Sequence, residues 1–238
     1  MGRGPSIEGR KNAEDARKGK LFTKLIREIT IAARGGGADP ATNPRLRAGI
    51  DKALTANMTK DTIERALKRA SGADADKMEE IRYEGYGPSG VALLIDCMTD
   101  NAQRTVADIR HALGKHGGNL GTSGSVAFQF HRKGELIVDT SKPGSEDKLL
   151  EAALDAGADD VQSEGGESLV LTSPDTFEGV RKALVAAGLT PSRADVVWRP
   201  ENRVAVNVEV AETLRDLLDW LNELDDVQEV YHNAESQA

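Results

Sequence analysis

Four histidines, one cysteine and scattered carboxylates are the side chains from which catalytic or metal chemistry would have to be built, and their spacing builds neither. His111, His116, His131 and His232 form no HExxH or HxH pattern. His111 and His116, on one expected helix, fall on different faces. Cys97 lies in the apolar run VALLIDCM (91–98), the place of a buried small hydrophobe. As the sole cysteine it excludes an internal disulfide and any CxxC metal site. Asp96, Asp100 and Asp108 supply carboxylates but stand in no nucleophile–base motif. GYGPSG (85–90) satisfies G-x-G-x-x-G, yet Pro88 and a strand follow where the dinucleotide fingerprint needs a helix, so a turn is expected. GGNLGTSGS (117–125) lacks the Lys-Ser/Thr ending of a P-loop and suits a helix-to-strand connection or a mobile binding loop. The expectation is a protein that is not an enzyme and holds no metal and no cofactor.

Phosphate recognition is the chemistry this sequence does concentrate. The 238 residues carry a formal net charge of −8, which argues against a nucleic-acid partner until it is divided. Residues 1–70 hold 16 Lys/Arg against 8 Asp/Glu, and residues 71–238 hold 15 against 31. A segment of +8 therefore precedes a body of −16. Within the first segment Lys20, Lys24, Arg27 and Arg34 share an arc of about 80° on a helical wheel, with no acid among them. Lys11, Arg17 and Lys18 precede this row, and Arg45, Arg47, Lys52, Lys60, Arg65 and Lys68 follow it. These thirteen residues are the expected nucleic-acid-binding set. Lys and Arg neutralise phosphates and release counterions, giving a salt-sensitive and largely sequence-neutral affinity.

The elements that must position these cations are legible from periodicity. Opposite the basic row, Leu21, Phe22, Leu25, Ile26, Ile29 and Ala33 share an arc of about 140°, the mark of an amphipathic helix over 21–34. Gly35-Gly36-Gly37 ends it, Asn43-Pro44 starts a second helix, and Thr59 caps a third that runs to Ala70. Residues 1–20 are expected as an arm, with one helical stretch from Asn12 to Lys18 that orders on binding, and 73–80 as an acidic linker. Strands follow at 91–98, 125–130, 134–140, 167–173, 194–200, 203–210 and 227–232. Helices are expected at 101–116, 146–156, 175–187 and 212–224. Phe128 and Phe130 share one strand face and are of a type that stacks bases, but with nine aromatics in the chain core packing is the expected use. Trp198 and Trp220 are expected as packing anchors.

The fold class is therefore α+β: an N-terminal three-helix bundle followed by two ferredoxin-like β-α-β-β-α-β domains, with the element order favouring one inserted in the other over a simple tandem. The expected divisions are 1–20 (basic arm), 21–72 (helical basic domain), 82–131 plus 201–235 (α/β domain) and 133–200 (inserted α/β domain). With no apolar run near the roughly 18 residues a bilayer needs and no apolar leader, a cytoplasmic protein without a membrane partner is expected, as a monomer.

Several stretches also resemble the YebC/PmpR family, which includes the mitochondrial translational activator of cytochrome oxidase. They are GKLFTKLIREITIAARGGGADPATNPRLRAGIDKA, ANMTKDTIERALKRASG, YEGYGPSGVALLIDCMTDN, RTVADIRHALGKHGGNLGTSGSVAFQF and LDDVQEVYHN. The resemblance runs from about Lys11 to Asn233. It implies three domains, the third inserted in the second, and a role as a DNA-binding transcriptional regulator. Other members act in translation on the ribosome, so the resemblance equally admits a factor that binds ribosomal RNA and relieves stalling. It places the family's basic segment on Lys11, Lys18, Lys20, Lys24, Arg27, Arg34, Arg45 and Arg47. The opening MGRGPSIEGRK departs from the family's usual start, which carries Trp and His.

Overall fold

A computed structural model describes residues 7–72 and 77–236, with side chains from Asp15 onward. The chain divides into two compact units: residues 1–125 with 205–230 and 234–238, and residues 126–204 with 231–233.

The first unit begins with three helices, α1 (Ile7–Gly36), α2 (Pro44–Thr55) and α3 (Lys60–Ala70). Their apolar stripes meet around Ile29, Leu46 and Ala53, all fully buried, with Leu25, Met58 and Ile63 beside them. Burying side chains of the size of Ile29 and Leu46 stabilises by about 1.5–3 kcal/mol each. Asn43 locks the first corner. Its carboxamide caps α2 by accepting from the Leu46 amide at 3.1 Å and donates to the carbonyls of Ala32 (2.7 Å) and Gly37 (2.9 Å).

The same unit continues with β1 (Glu79–Tyr86), β2 (Ala92–Thr99), α4 (Ala102–Lys115) and β3 (Asn119–Leu120). After the second unit it resumes with β8 (Val204–Val206), α7 (Val208–Glu223), β9 (Val227–His232) and β10 (Ala234–Ser236). The sheet order is β3-β1-β2-β9, and β8 pairs with β10. Leu93, Ile95 and Cys97 of β2 pack with Ile109 and Leu113 of α4 and with Leu214, Leu217 and Leu221 of α7.

The second unit runs β4 (Phe130–Asp139), α5 (Ser145–Asp155), β5 (Asp160–Glu164), β6 (Glu167–Thr172), α6 (Phe177–Ala186) and β7 (Arg193–Pro200). Its sheet order is β5-β6-β4-β7, each neighbouring pair antiparallel. Leu136 and Val138 of β4 and Val170 of β6 pack with Leu149 of α5 and with Val180 and Leu184 of α6.

The structure corrects four sequence expectations. From Ile7 onward the expected arm is the first half of one helix continuous with 21–34. After Pro5 its residues are mostly good helix formers, and Gly9 and Gly19 cost only about 1 kcal/mol each. Residues 79–80, expected as the end of the linker, and 85–86, expected in a turn, belong with 81–84 to β1 (Glu79–Tyr86). This strand pairs with β2 from Glu79↔Thr99 to Tyr86↔Ala92. Residues 203–210 are not one strand: Asn207 accepts from the Val210 amide at 2.9 Å and starts α7 at Val208, so a β-branched run supplies a helix's first turn. Residues 127–129 are a short 3-10 turn, which buries Phe130 (2% exposed) and leaves Phe128 70% exposed.

Candidate nucleic-acid interface

The charge pattern leads one to expect a free cationic row on α1, and the structure turns that row inward. Lys20 Nζ donates to the Glu223 carbonyl at 2.6 Å and pairs with the Glu223 carboxylate at 2.9 Å. Lys24 Nζ donates to the Asn222 carbonyl at 2.8 Å. Arg27 Nη1 donates to the carbonyls of Met98 (2.7 Å) and Asp225 (2.9 Å) and to Asp226 Oδ1 (2.8 Å). Helix α7 ends in this spot with no basic residue in its last turn. Its final carbonyls have no intrahelical donors, and its dipole is negative here. The row on α1 supplies the cations that α7 lacks. Burial lowers the Lys24 ammonium from its usual value, so this contact is partly desolvated.

Asp226 is the anchor. The residue is 6% exposed, and its carboxylate accepts from Arg27, from Arg104 (Nε 3.1 Å, Nη2 2.9 Å) and from Thr105 Oγ1 (2.8 Å). Burial by itself would raise this carboxyl, but the hydrogen bonds from Arg27, Thr105 and Arg104 outweigh it and hold it below the usual carboxylate value. Arg104 also pairs with Asp100 at 2.9 Å. Sequence reasoning missed this cluster because Arg27 and Asp226 are 199 positions apart. The one signal available was an acidic helix end with no base of its own.

The remaining expected cations are distributed differently. Arg34 donates to the Met78 carbonyl at 2.6 Å, and Arg47 to those of Pro40 (3.1 Å) and Ala41 (3.3 Å). Arg45 sits between Glu80 and Glu28, whose hydrogen bonds raise its already high pKa. Arg65 pairs with Asp61 at 2.9 Å, both side chains well exposed. Arg17, Lys18, Lys52, Lys60 and Lys68 are exposed, and Lys18 Nζ stands 5.5 Å from the Phe22 ring centre. Arg69, outside the expected set, is exposed beside Lys68. The Lys11 side chain lies outside the described residues. The twelve described cations are thus split between an inward row and outward residues spread over α1, α2 and α3.

Two family models cover the chain. One described as the TACO1/YebC protein N-terminal domain matches residues 4–73, and one described as the TACO1/YebC second and third domain matches residues 78–234. The chain belongs to the TACO1/YebC family. A relative from Xanthomonas oryzae pv. oryzae, named "Probable transcriptional regulatory protein", is 57% identical over 241 residues, covering 100% of this chain and 99% of its own. A relative of the same descriptive name from Stenotrophomonas maltophilia is 56% identical, covering 99% and 97%. The crystal structure of a conserved hypothetical protein from Aquifex aeolicus matches with a TM-score of 0.81 at 44% identity, covering 94% of this chain and 93% of that one.

In this TACO1/YebC chain the other motifs have structural occupations. GYGPSG forms the β1–β2 hairpin turn, with the Gly87 amide donating to the Val91 carbonyl at 2.8 Å. The glycine-rich segment 117–125 is tied to β1: the buried Glu84 carboxylate accepts from the Gly124 amide, and the Glu84 carbonyl from the Gly121 amide at 2.8 Å. His111 and His116, expected on different faces, both stand edge-on to Trp220, with ring centres 5.7 and 5.5 Å away. A broad indole between two helices reaches both. Trp220 is 41% exposed, so it is an edge of the packing rather than a buried anchor. Among the described residues no group of three His, Cys, Asp or Glu could hold a metal ion, and no helix is long and apolar enough to cross a membrane.

Proposed function

We propose that this protein is a non-enzymatic regulator of gene expression that binds DNA through the outward cations of its N-terminal helices. The observation that carries the reading is the set of exposed bases on α1 and α3 (Arg17, Lys18, Lys60 and Lys68) in a segment of net +8. Such cations contact phosphates without reading bases, and the −16 body repels the duplex and orients the segment toward it. Transcription is the process favoured by the relatives' printed names. The second unit's strand order, β5-β6-β4-β7 in a β-α-β-β-α-β run, supports a ferredoxin-like domain inserted between β3 and β8 of another α/β domain. That body is a scaffold presenting the basic helices.

Fluorescence anisotropy with a short DNA duplex and a ribosomal RNA stem, over a series of salt concentrations, tests the reading. DNA affinity is expected to fall steeply with salt, by about 0.9 in logarithmic slope per phosphate neutralised. Charge reversal at Arg17, Lys18, Lys60 and Lys68 is expected to abolish it. Binding that survives this reversal overturns the proposed surface. A strong preference for ribosomal RNA overturns DNA as the partner and favours a role in translation.

A further inference from the structure

We infer that the end of α7 and the turn joining it to β9 are an internal stand-in for a phosphate backbone, keeping the inward row of α1 closed until nucleic acid displaces it. This rests on the nucleic-acid reading above and adds a regulation to it. Every group that Lys20, Lys24 and Arg27 meet along this stretch is an oxygen acceptor: the carbonyls of Asn222, Glu223 and Asp225 and the carboxylates of Glu223 and Asp226. These are the acceptors that phosphate oxygens would replace. The row spans about 10 Å at 1.5 Å per residue, close to three base steps of duplex.

Three details fit a closure built to open. The contact is graded: Lys20 and Glu223 have side chains 36% and 65% exposed, whereas Arg27 and Asp226 have 17% and 8%. Competition by salt or polyanions therefore begins at Lys20, where water already screens the pair. Asp226 also keeps Arg104 and Thr105 when Arg27 leaves, so opening strands no buried charge. Gln228 lies in the same seam, donating to the Lys24 carbonyl at 2.9 Å, and its Oε1 is buried with no hydrogen-bond partner. The closed seam is thus incompletely satisfied.

Duplex affinity of the full chain is compared with that of Glu223→Gln and of Glu223→Gln/Asp226→Asn across a salt series. Asp219→Asn serves as control: it removes one acid from the exposed side of α7 without touching α1. The latch variants are expected to bind about 5-fold tighter or more, a usual coupling. Their salt slope is expected to steepen by about 2 to 3 as the freed row engages phosphates. If Asp226→Asn loses its cooperative melt, Glu223→Gln alone carries the test, with a smaller shift in the same direction. Unchanged affinity and slope in the latch variants, with wild type still binding, overturns the latch and leaves the proposed function standing. An equal gain from Asp219→Asn also overturns it, reducing the effect to bulk charge. If neither wild type nor latch variants bind DNA or RNA at low salt, the functional reading falls and the latch with it.

Discussion

Arg27 of α1 reaches Asp226, at the start of β9's approach, with Nη1 2.8 Å from Oδ1. The pair is the inner end of the seam, and its two members are not equivalent. Asp226 is shared by Arg27, Arg104 and Thr105, whereas Arg27 is one donor among several. Asp226→Ala leaves two guanidinium groups short of an acceptor and is expected to cost about 3–5 kcal/mol. Arg27→Ala is expected to cost less, about 1.5–3 kcal/mol, because Arg104 still neutralises Asp226. Urea unfolding of both single variants and the double variant measures the coupling.

Acid should loosen the same seam. Asp226 has its folded pKa below the ordinary value of 3.8, so its contribution is fully present above that pH. It is lost as pH falls through the folded value, where the carboxyl takes up its proton. Thermal melts from neutral pH downward should therefore show an Asp226-dependent loss only below about 3.8, absent in Asp226→Asn.

Asn43 serves two ends at once. Asn43→Ala removes the cap of α2 and both bonds the carboxamide donates to Ala32 and Gly37, with an expected loss of about 1–2 kcal/mol. Asn43→Asp keeps the acceptor for Leu46 but sets a buried carboxylate oxygen against the Ala32 and Gly37 carbonyls, and should cost at least as much as Ala. Denaturant titration ranks the three.

Two glycines close in sequence should respond oppositely to alanine. A Cβ on Gly118 would lie 2.1 Å from the Tyr86 carbonyl oxygen, so backbone must move, at about 1–3 kcal/mol. Gly114, within α4, has nothing within 4 Å of its would-be Cβ, and Gly114→Ala should stabilise by about 0.5–1 kcal/mol. Midpoint shifts in chemical denaturation of the two variants decide it.

Cys97 should be chemically silent in the native protein. Burial, aided by Asp96 and Asp226, pushes its thiol up to about 12. Alkylation followed by mass spectrometry should find it unlabelled at mildly basic pH in buffer and fully labelled in denaturant. Fast native labelling would show that β2 opens.

Helices with a clear apolar stripe and a cap were legible in the sequence: Asn43, Thr59 and Asn101 each begin a helix where expected. Strands whose order depends on a distant partner were not. β1 is polar at alternate positions because Arg82 pairs with Asp96 across the ladder, at 2.6 and 2.9 Å. Period alone cannot announce that pairing. The basic residues were legible as a charge but not as a contact. An unmixed cationic face looks like a binding surface whether its anion belongs to a partner or, as for Lys20, Lys24 and Arg27, to the same chain some 200 residues later.

The register of the second sheet sets Phe130, the first residue of β4, opposite Pro200, the last of β7. The unit that spans 126–204 therefore starts and finishes at adjacent points on neighbouring strands. A segment with its two ends side by side behaves toward the surrounding chain like a long loop, and loop length costs little in closure entropy. Changes in its length therefore leave the threading of β3 and β8 as it is.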